Sequence, residues 1–377
     1  MDVYVCGVGL TKISEHWAKP LRVLMAEAAL KALEDAGNPE PDLIVVSSAL
    51  SPLLQKQSHL GPVVLEELGL TGKPVLSVES GGASGAVAFH AGYMAVRSGL
   101  YSTVLVIGGE KLSDALPMDV VSAMQNFEER EHVSFYGITG VSLSALAYKM
   151  YLKKNGVKRE EVASLAVHDH EMAVGVKHAQ YPFPIKLEAV LRATTISEPI
   201  TLFESFGYGD GAAAVVLTSR RNGDGCVRVA GCAISTDRVT PASKIGSLSF
   251  PSTVKAAENA YRMAGIGPGD VDVAEIYDPY TIIGVISLED LGFAERGKGA
   301  KLVWEGEVKP GGKIPVNTFG GLKARGNPLG ATGLYQIAEI AIQLRGEAPH
   351  QVDSPKYGLA HAMGGFGGSS VVTILGR

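Results

Sequence analysis

The sequence predicts an α/β fold made of two similar halves, in which strands alternate with helices. The chain of 377 residues exceeds the usual size of one domain, and its 46% hydrophobic and 19% charged residues fit a well-buried core. A unit of helix followed by strand occurs at residues 28–37 and 42–46, and again at 256–265 and 270–276. This alternation favours a largely parallel sheet that is covered by helices.

A second unit also occurs twice. In the first half, an apolar strand at residues 74–78 precedes a helix of small residues at 83–97, and a glycine-containing strand follows at 104–109. The turn that opens this helix, Gly-Ala-Ser-Gly at 82–85, is matched in the second half by Gly-Ala-Thr-Gly at 330–333. The helix after that second turn leads to another glycine-containing strand, predicted at residues 359–368.

The two halves differ in one insertion. Residues 111–200 of the first half are rich in helical pattern, with helices predicted at 143–155 and 159–174. We therefore expect an N-terminal half over residues 1–222, which includes this insertion, and a C-terminal half over 223–377.

Composition excludes several classes of protein. A net charge of −5 without a cluster of Lys and Arg argues against a nucleic-acid partner. No apolar run is long enough to span a bilayer, which argues against a membrane protein. The N-terminal residues lack a basic leader segment and form a strand pattern, so we expect a cytoplasmic protein.

No metal site is predicted. Cys6, Cys226 and Cys232 lack the spacing of metal ligands and lie in apolar strand patterns, so we expect three buried structural thiols. The histidines of the insertion have no further residues nearby that would complete a ligand set.

Three glycine-rich segments occur at residues 207–214, 320–326 and 364–367. Together with the two repeated units of helix and strand, they form an ordered set of motifs that extends over nearly the whole chain. On this duplicated α/β plan, the sequence resembles the thiolase superfamily, most closely its sterol-carrier-type and archaeal branches. The resemblance implies a thiolase-like fold of two pseudo-twofold-related βαβαβαββ halves in five layers. It also implies a coenzyme A thioester as substrate, with no covalently bound cofactor. The expected partners are a second copy of the chain and a small zinc-ribbon and OB-fold protein.

The nucleophile of the family is missing. Thiolases use a cysteine in a turn that ends Cys-Ala-Ser-Gly, and here the matching position is Gly82. The turn precedes a helix, where the helix dipole and free N–H groups would stabilise a thiolate. We expect Gly82 and Ser84 to contribute to substrate binding and Gly82 to open space beside the thioester, although Ser84 also fits a helix-capping role.

Two family histidines are also replaced. At the His-Asp-x-Phe motif this chain has Tyr277 and Asp278, and at Gly-His-Pro it has Asn327. Tyr277 is predicted to be catalytic, as a base or hydrogen-bond donor, with packing at the edge of the core as the alternative. Asn327 can donate a hydrogen bond to a carbonyl oxygen but cannot shuttle a proton, so it is predicted to be catalytic as an oxyanion donor. An ordinary Asn-Pro turn is the alternative. Asp278 is placed at the substrate site, although it also fits a role in bracing the turn.

A fourth motif keeps a titratable group. In the sterol-carrier-type branch the final acid/base is a histidine, and His361 stands at that position. We expect His361 to line the site as a proton donor, with Gly364 and Gly365 contacting substrate. The alternative for His361 is a hydrogen-bonded histidine of the core.

Three functions are compatible with this pattern. Steroid side-chain-cleaving aldolases look like thiolases that lack the cysteine and carry tyrosine at the position of Tyr277, so retro-aldol cleavage of a β-hydroxyacyl-CoA is the favoured hypothesis. The alternatives are an acetyl-CoA acyltransferase with an atypical site and a non-catalytic scaffold that binds acyl-CoA. The acyl chain cannot be read from the sequence.

Overall fold

The computed structural model describes residues 1–221, 223 and 225–377. The strands are β1 Tyr4–Leu10, β2 Leu43–Ser47, β3 Val75–Val78, β4 Thr103–Glu110, β5 Thr195–Ser197, β6 Ile200–Thr201, β7 Gly211–Thr218, β8 Val227–Thr236, β9 Val273–Glu275, β10 Tyr357–Gly364 and β11 Ser369–Gly376. The helices are α1 Leu21–Asp35, α2 Ser51–Leu54, α3 Leu60–Leu68, α4 Ser84–Arg97, α5 Pro117–Met124, α6 Gly140–Asn155, α7 Arg159–Met172, α8 Leu187–Arg192, α9 Ala242–Ser247, α10 Pro251–Ala264, α11 Thr281–Asp290, α12 Gly299–Trp304 and α13 Thr332–Arg345.

Nine strands form one mixed sheet in the order β3-β2-β4-β7-β1-β8-β11-β10-β9. Read outward from the centre, β8, β11, β10 and β9 of the second half repeat the order β1, β7, β4 and β2 of the first half, which β3 extends by one strand. The two halves join where β1 pairs with β8, with Tyr4 opposite Arg228 and Val5 opposite Val227. This arrangement is the duplicated α/β plan that the repeats predict.

Alternating side chains of the strands divide the core into layers. On β2, Ile44 and Val46 pack against α1 and α3 on the outside of the first half. Leu43 and Val45 face the other way, into the cluster that contains α4 and α13. Helix α10 covers the outer face of the second half, beside β8 and β11. The result is five layers, with α4 and α13 between the two halves of the sheet.

The sheet is less parallel than the alternation of strands and helices predicts. β2 is parallel to β3 and β4, and β9 is parallel to β10. The pairs β1–β7, β1–β8, β4–β7, β10–β11 and β8–β11 are antiparallel. The reason lies in the connections: β11 follows β10 through a tight turn, and β7 follows β4 after the long insertion, so neither strand returns in parallel through a single crossover helix. The strand predicted at 359–368 ends earlier, at Gly364, because a glycine turn at 365–368 reverses the chain between β10 and β11.

The cysteine prediction is wrong for two of the three residues. Cys6 on β1 and Cys226 just before β8 form a disulfide, since the pairing of β1 with β8 brings these distant positions together. Cys232 is a buried free thiol, as predicted.

The insertion contains α5 to α8, and its two longer helices α6 and α7 lie where the sequence predicts them. The predicted boundary follows residue 222, which lies outside the described residues, so the division into 1–222 and 223–377 stays a prediction. Among the described residues, no helix is both long and apolar enough to cross a membrane.

Candidate active site

The main cavity of the described chain lies where the insertion meets the second half, and its volume is about 600 Å³. Tyr277, Asn327 and Gly365 line it, so the structure brings together these three residues predicted from separate motifs. Eight aromatic residues from both halves contribute to its wall: Phe127, Tyr181, Phe206, Tyr208, Phe250, Tyr277, Tyr280 and Phe366. A concave, largely apolar site with a few polar groups is typical of small-molecule binding.

The space beside Gly82 is filled by Tyr277. A Cβ atom added to Gly82 would lie 2.2 Å from the Tyr277 hydroxyl oxygen and 2.9 Å from the carbonyl oxygen of Met363. A cysteine at this position would therefore collide with the tyrosine. The expectation that Gly82 opens space for substrate is wrong, because the phenol occupies that space.

Tyr277 follows β9 and precedes α11, and its side chain is buried. Burial raises the pKa of its phenol well above the ordinary value, and the nearby carboxylates of Asp278 and Glu128 raise it further. The hydroxyl is therefore protonated at neutral pH. In this state Tyr277 can donate a hydrogen bond, but it is a poor base.

Asn327 lines the cavity with a side chain that is fully buried. Its side-chain oxygen accepts a hydrogen bond from the Thr332 hydroxyl at 2.6 Å, which fixes the orientation of the amide. Its Nδ2 has no hydrogen-bond partner among the described residues, although it is fully buried. A buried donor without a partner is costly, and a substrate oxygen would satisfy it.

His361 does not line the cavity, contrary to the prediction. The ring on β10 is fully buried; its Nδ1 accepts the backbone N–H of Tyr277 at 3.4 Å and its Nε2 lies 3.2 Å from the Thr253 hydroxyl. Burial lowers the pKa of His361 to about 3, so the imidazole is neutral. His361 thus contacts the backbone of Tyr277 from behind and has no direct path to substrate.

Two of the predicted substrate contacts are occupied by packing within the protein. Ser84 accepts the backbone N–H of Ser80 at 2.8 Å and donates to the carbonyl oxygen of Gly81 at 2.6 Å, so it stabilises the turn before α4. A Cβ atom on Gly364 would lie 2.5 Å from the carbonyl oxygen of Ser80, which shows how closely the two backbones pack. Neither residue lines the cavity.

Asp278 faces away from the cavity as well. Its carboxylate accepts the backbone N–H of Leu322 at 2.9 Å, and the carboxyl of Asp169 is buried nearby. Burial raises the pKa of Asp278 to about 6, and the pKa of Asp169 is raised in the same direction. Asp278 therefore braces the turn formed by Gly321–Arg325, and its assignment to the substrate site is corrected.

Glu128 is a cavity residue that the sequence does not reveal. It follows α5 within the charged run Glu128 to His132, a pattern typical of a solvated loop. In the fold, this loop meets the glycine turn after β10, where a Cβ atom on Gly365 would lie 3.4 Å from Glu128 Oε1. Burial raises the pKa of Glu128 to about 7. No spacing in the sequence could have signalled this contact, because its partner lies in the other half.

Comparisons with known proteins identify the family. Residues 4–189 match the family "Thiolase, N-terminal domain", and residues 236–377 match "Thiolase C-terminal domain-like". The chain is 38% identical to an acetyl-CoA acetyltransferase of Methanothermobacter thermautotrophicus over 383 residues, with both chains fully covered. It is 31% identical to sterol carrier protein 2 of Rattus norvegicus, covering 99% of this chain and 71% of that protein.

A solved structure named "Ltp2-ChsH2(DUF35) aldolase" superposes with a TM-score of 0.86. It covers 100% of this chain and 98% of the solved one, at 24% identity, which supports the fold alone. The chain belongs to the thiolase superfamily. The thiolase-like fold predicted from the sequence is confirmed.

Proposed function

We propose that this protein is a thiolase-fold lyase that cleaves the carbon–carbon bond of a β-hydroxyacyl-CoA by a retro-aldol reaction. The observation that carries the proposal is the contact at Gly82, where the Tyr277 hydroxyl takes the position of the missing nucleophile. Retro-aldol cleavage needs no acyl-enzyme, so it does not require a cysteine there. It needs a base for the β-hydroxyl proton and donors for the thioester enolate.

The donors are Asn327 Nδ2 and the Tyr277 hydroxyl. Cleavage places negative charge on the thioester oxygen, and a preorganised donor in a dry cavity stabilises that charge strongly. The amide of Asn327 is already oriented by Thr332 and lacks a partner among the described residues. Tyr277 acts here as a donor, because its raised pKa keeps the phenol protonated.

The size and lining of the cavity favour a bulky apolar acyl group. A volume of about 600 Å³ far exceeds an acetyl group, and the lining is largely apolar with eight aromatic side chains. The word aldolase is part of the name of the solved structure, which shares its fold with this chain. It supports the proposal only to the extent that the two proteins have the same fold.

Acetyl transfer is the second candidate, favoured by the name of the relative that is 38% identical. Against it, two cysteines are joined in a disulfide and the third, Cys232, is buried on β8 away from the cavity. Acyl transfer through a cysteine would therefore lack its nucleophile. Scaffolding without catalysis is the remaining alternative.

The assembly is part of the proposal. We expect a homodimer and a small zinc-ribbon and OB-fold partner that completes the CoA site. The strand β3 lies at an edge of the sheet and exposes Leu76, which fits pairing with a second copy. Light scattering of the purified protein tests the dimer, and co-expression with a candidate partner tests the complex.

Two measurements separate these functions. Intact mass after incubation with acetyl-CoA or acetoacetyl-CoA should show no acetyl adduct, and a stable adduct would instead support acyl transfer. A panel of β-hydroxyacyl-CoA thioesters with bulky β-substituents should release an aldehyde or ketone. CoA-ester binding without any carbonyl release would favour the scaffold.

A further inference from the structure

Glu128 occupies a position that suits proton transfer at the cavity. It lines the same cavity as Tyr277 and Asn327, although it comes from the insertion and they come from the second half. The three residues therefore share the space in which the proposed substrate would bind, with the carboxylate and the two donors on different segments of the cavity wall.

The loop of Glu128 lies against the glycine turn after β10, and the two segments approach most closely at Gly365. Gly365 has φ of +56°, and a Cβ atom there would lie 2.5 Å from the carbonyl oxygen of Phe127 and 3.4 Å from Glu128 Oε1. A side chain at residue 365 would therefore displace the loop, so the glycine is what allows this close approach.

The charged and titratable groups around Glu128 in the described part of the chain do not form an ion pair that would occupy its carboxylate. Lys244 on α9 attracts the carboxylate, but its ammonium donates to the carbonyl oxygen of Arg238. Tyr277 and Tyr280 face Glu128 from the loop before α11, and both are protonated because burial raises their pKa values. On its own loop, the neighbouring Glu129 turns to the backbone N–H groups of Glu131 and His132.

We infer that Glu128 is the catalytic base, which takes the β-hydroxyl proton and returns it to the α-carbon. This inference rests on the proposed lyase function and assigns the role for which Tyr277 is unsuited. The O–H electron pair becomes the C=O bond of the released aldehyde or ketone as the Cα–Cβ bond breaks. The pair from that bond forms the thioester enolate, and the protonated Glu128 then gives its proton to Cα. No oxidant or reductant is required.

The first test compares Glu128→Gln, Glu128→Asp and wild type in the carbonyl-release assay. Glu128→Gln should lower kcat by about 10²–10⁴-fold with little change in KM, and Glu128→Asp should recover part of that loss. The control is Glu131→Gln, an exposed carboxylate on the same loop, which should behave as wild type. Circular dichroism and binding of CoA to each variant show whether it is folded.

The pH profile gives an independent signature. A base must be deprotonated, so kcat/KM of the wild type should rise with pH through about 7, the pKa of Glu128, and then level off. Glu128→Gln should lack this rise. If Glu128→Gln keeps both wild-type kcat and the rise, the role of Glu128 is overturned while the lyase function stands.

A half-reaction separates failure of this inference from failure of the lyase proposal. In D₂O, the wild type should exchange the α-hydrogens of propionyl-CoA for deuterium, because exchange needs only the base and the enolate donors. If no thioester is cleaved but exchange occurs and Glu128→Gln abolishes it, the lyase proposal fails and Glu128 remains the base. Absent exchange in the wild type, or equal exchange in Glu128→Gln, overturns the role of Glu128.

Discussion

The turns that open α4 and α13 have nearly the same local structure but different surroundings. Each is a short 3₁₀ turn, Gly81–Ala83 or Leu329–Ala331, followed by a long helix. The helices start against each other, since a Cβ atom on Gly85 would lie 2.9 Å from the carbonyl oxygen of Gly330. At the first turn, Gly82 adjoins the phenol of Tyr277. At the second, Gly330 is bound by a buried carboxylate.

That carboxylate belongs to Glu110, at the end of β4. It accepts the backbone N–H groups of Ala49, Leu50 and Gly330 at 2.8, 3.2 and 3.0 Å, and the Ser48 hydroxyl at 2.8 Å. The comparison teaches that a duplicated turn can be structural in one copy and form part of a reactive site in the other. The two turns differ because different distant residues contact them, Tyr277 at the first and Glu110 at the second.

The largest effect is expected from Glu110→Ala. It removes the acceptor of three buried N–H groups, so the free energy of unfolding should fall by about 3–5 kcal/mol. Chemical denaturation measures this change. The control is Glu34→Ala, which removes an exposed carboxylate on α1 and should change the free energy of unfolding by no more than about 0.5 kcal/mol. A loss below about 1 kcal/mol would show that Glu110 does not anchor the second turn.

The next effect concerns the first turn. Tyr277→Phe should lower kcat for carbonyl release by about 10²-fold, because it removes one donor to the developing oxyanion. Tyr261→Phe is the matched control: its buried hydroxyl donates to the carbonyl oxygen of Leu291, away from the cavity. That variant should lose about 1 kcal/mol of stability and keep its kcat. Equal activity of Tyr277→Phe and wild type would remove Tyr277 from the mechanism.

Gly82→Ala should have a moderate effect on both stability and activity. The new methyl group would overlap the Tyr277 hydroxyl, so we expect a loss of about 1–3 kcal/mol in unfolding free energy and lower kcat. Gly269→Ala provides the control, since a Cβ atom there has nothing within 4 Å. A Gly82→Ala protein as stable and active as wild type would contradict the close contact with Tyr277.

The smallest effects distinguish the two hydroxyls that follow the turns. Ser84→Ala should cost about 1 kcal/mol of stability and leave the cavity unchanged, because Ser84 bonds only to the turn backbone. Thr332→Val should cost a similar amount but also lower kcat, since Thr332 orients the amide of Asn327. Thermal unfolding and carbonyl release measure the two quantities, and matching kcat values for both variants would speak against that orienting role.

How much of the site could be predicted differs from residue to residue. Tyr277 and Asn327 come from motif positions, and they do line the cavity. His361 comes from a motif in the same way but is buried behind Tyr277, because sequence position does not fix which face of a strand a side chain takes. Glu128 could not be predicted, since its environment is made by a turn in the other half.

The sequence by itself determined the duplicated order of helices and strands, the glycine turns that open α4 and α13, and the absence of the family cysteine at residue 82. These features follow from local composition and periodicity, which act over a few residues. Only the tertiary structure decided that Tyr277 fills the space beside Gly82, that Cys6 pairs with Cys226, and that Glu128 lies at the cavity. Each depends on contacts between segments far apart in the chain, which packing of the sheet halves creates.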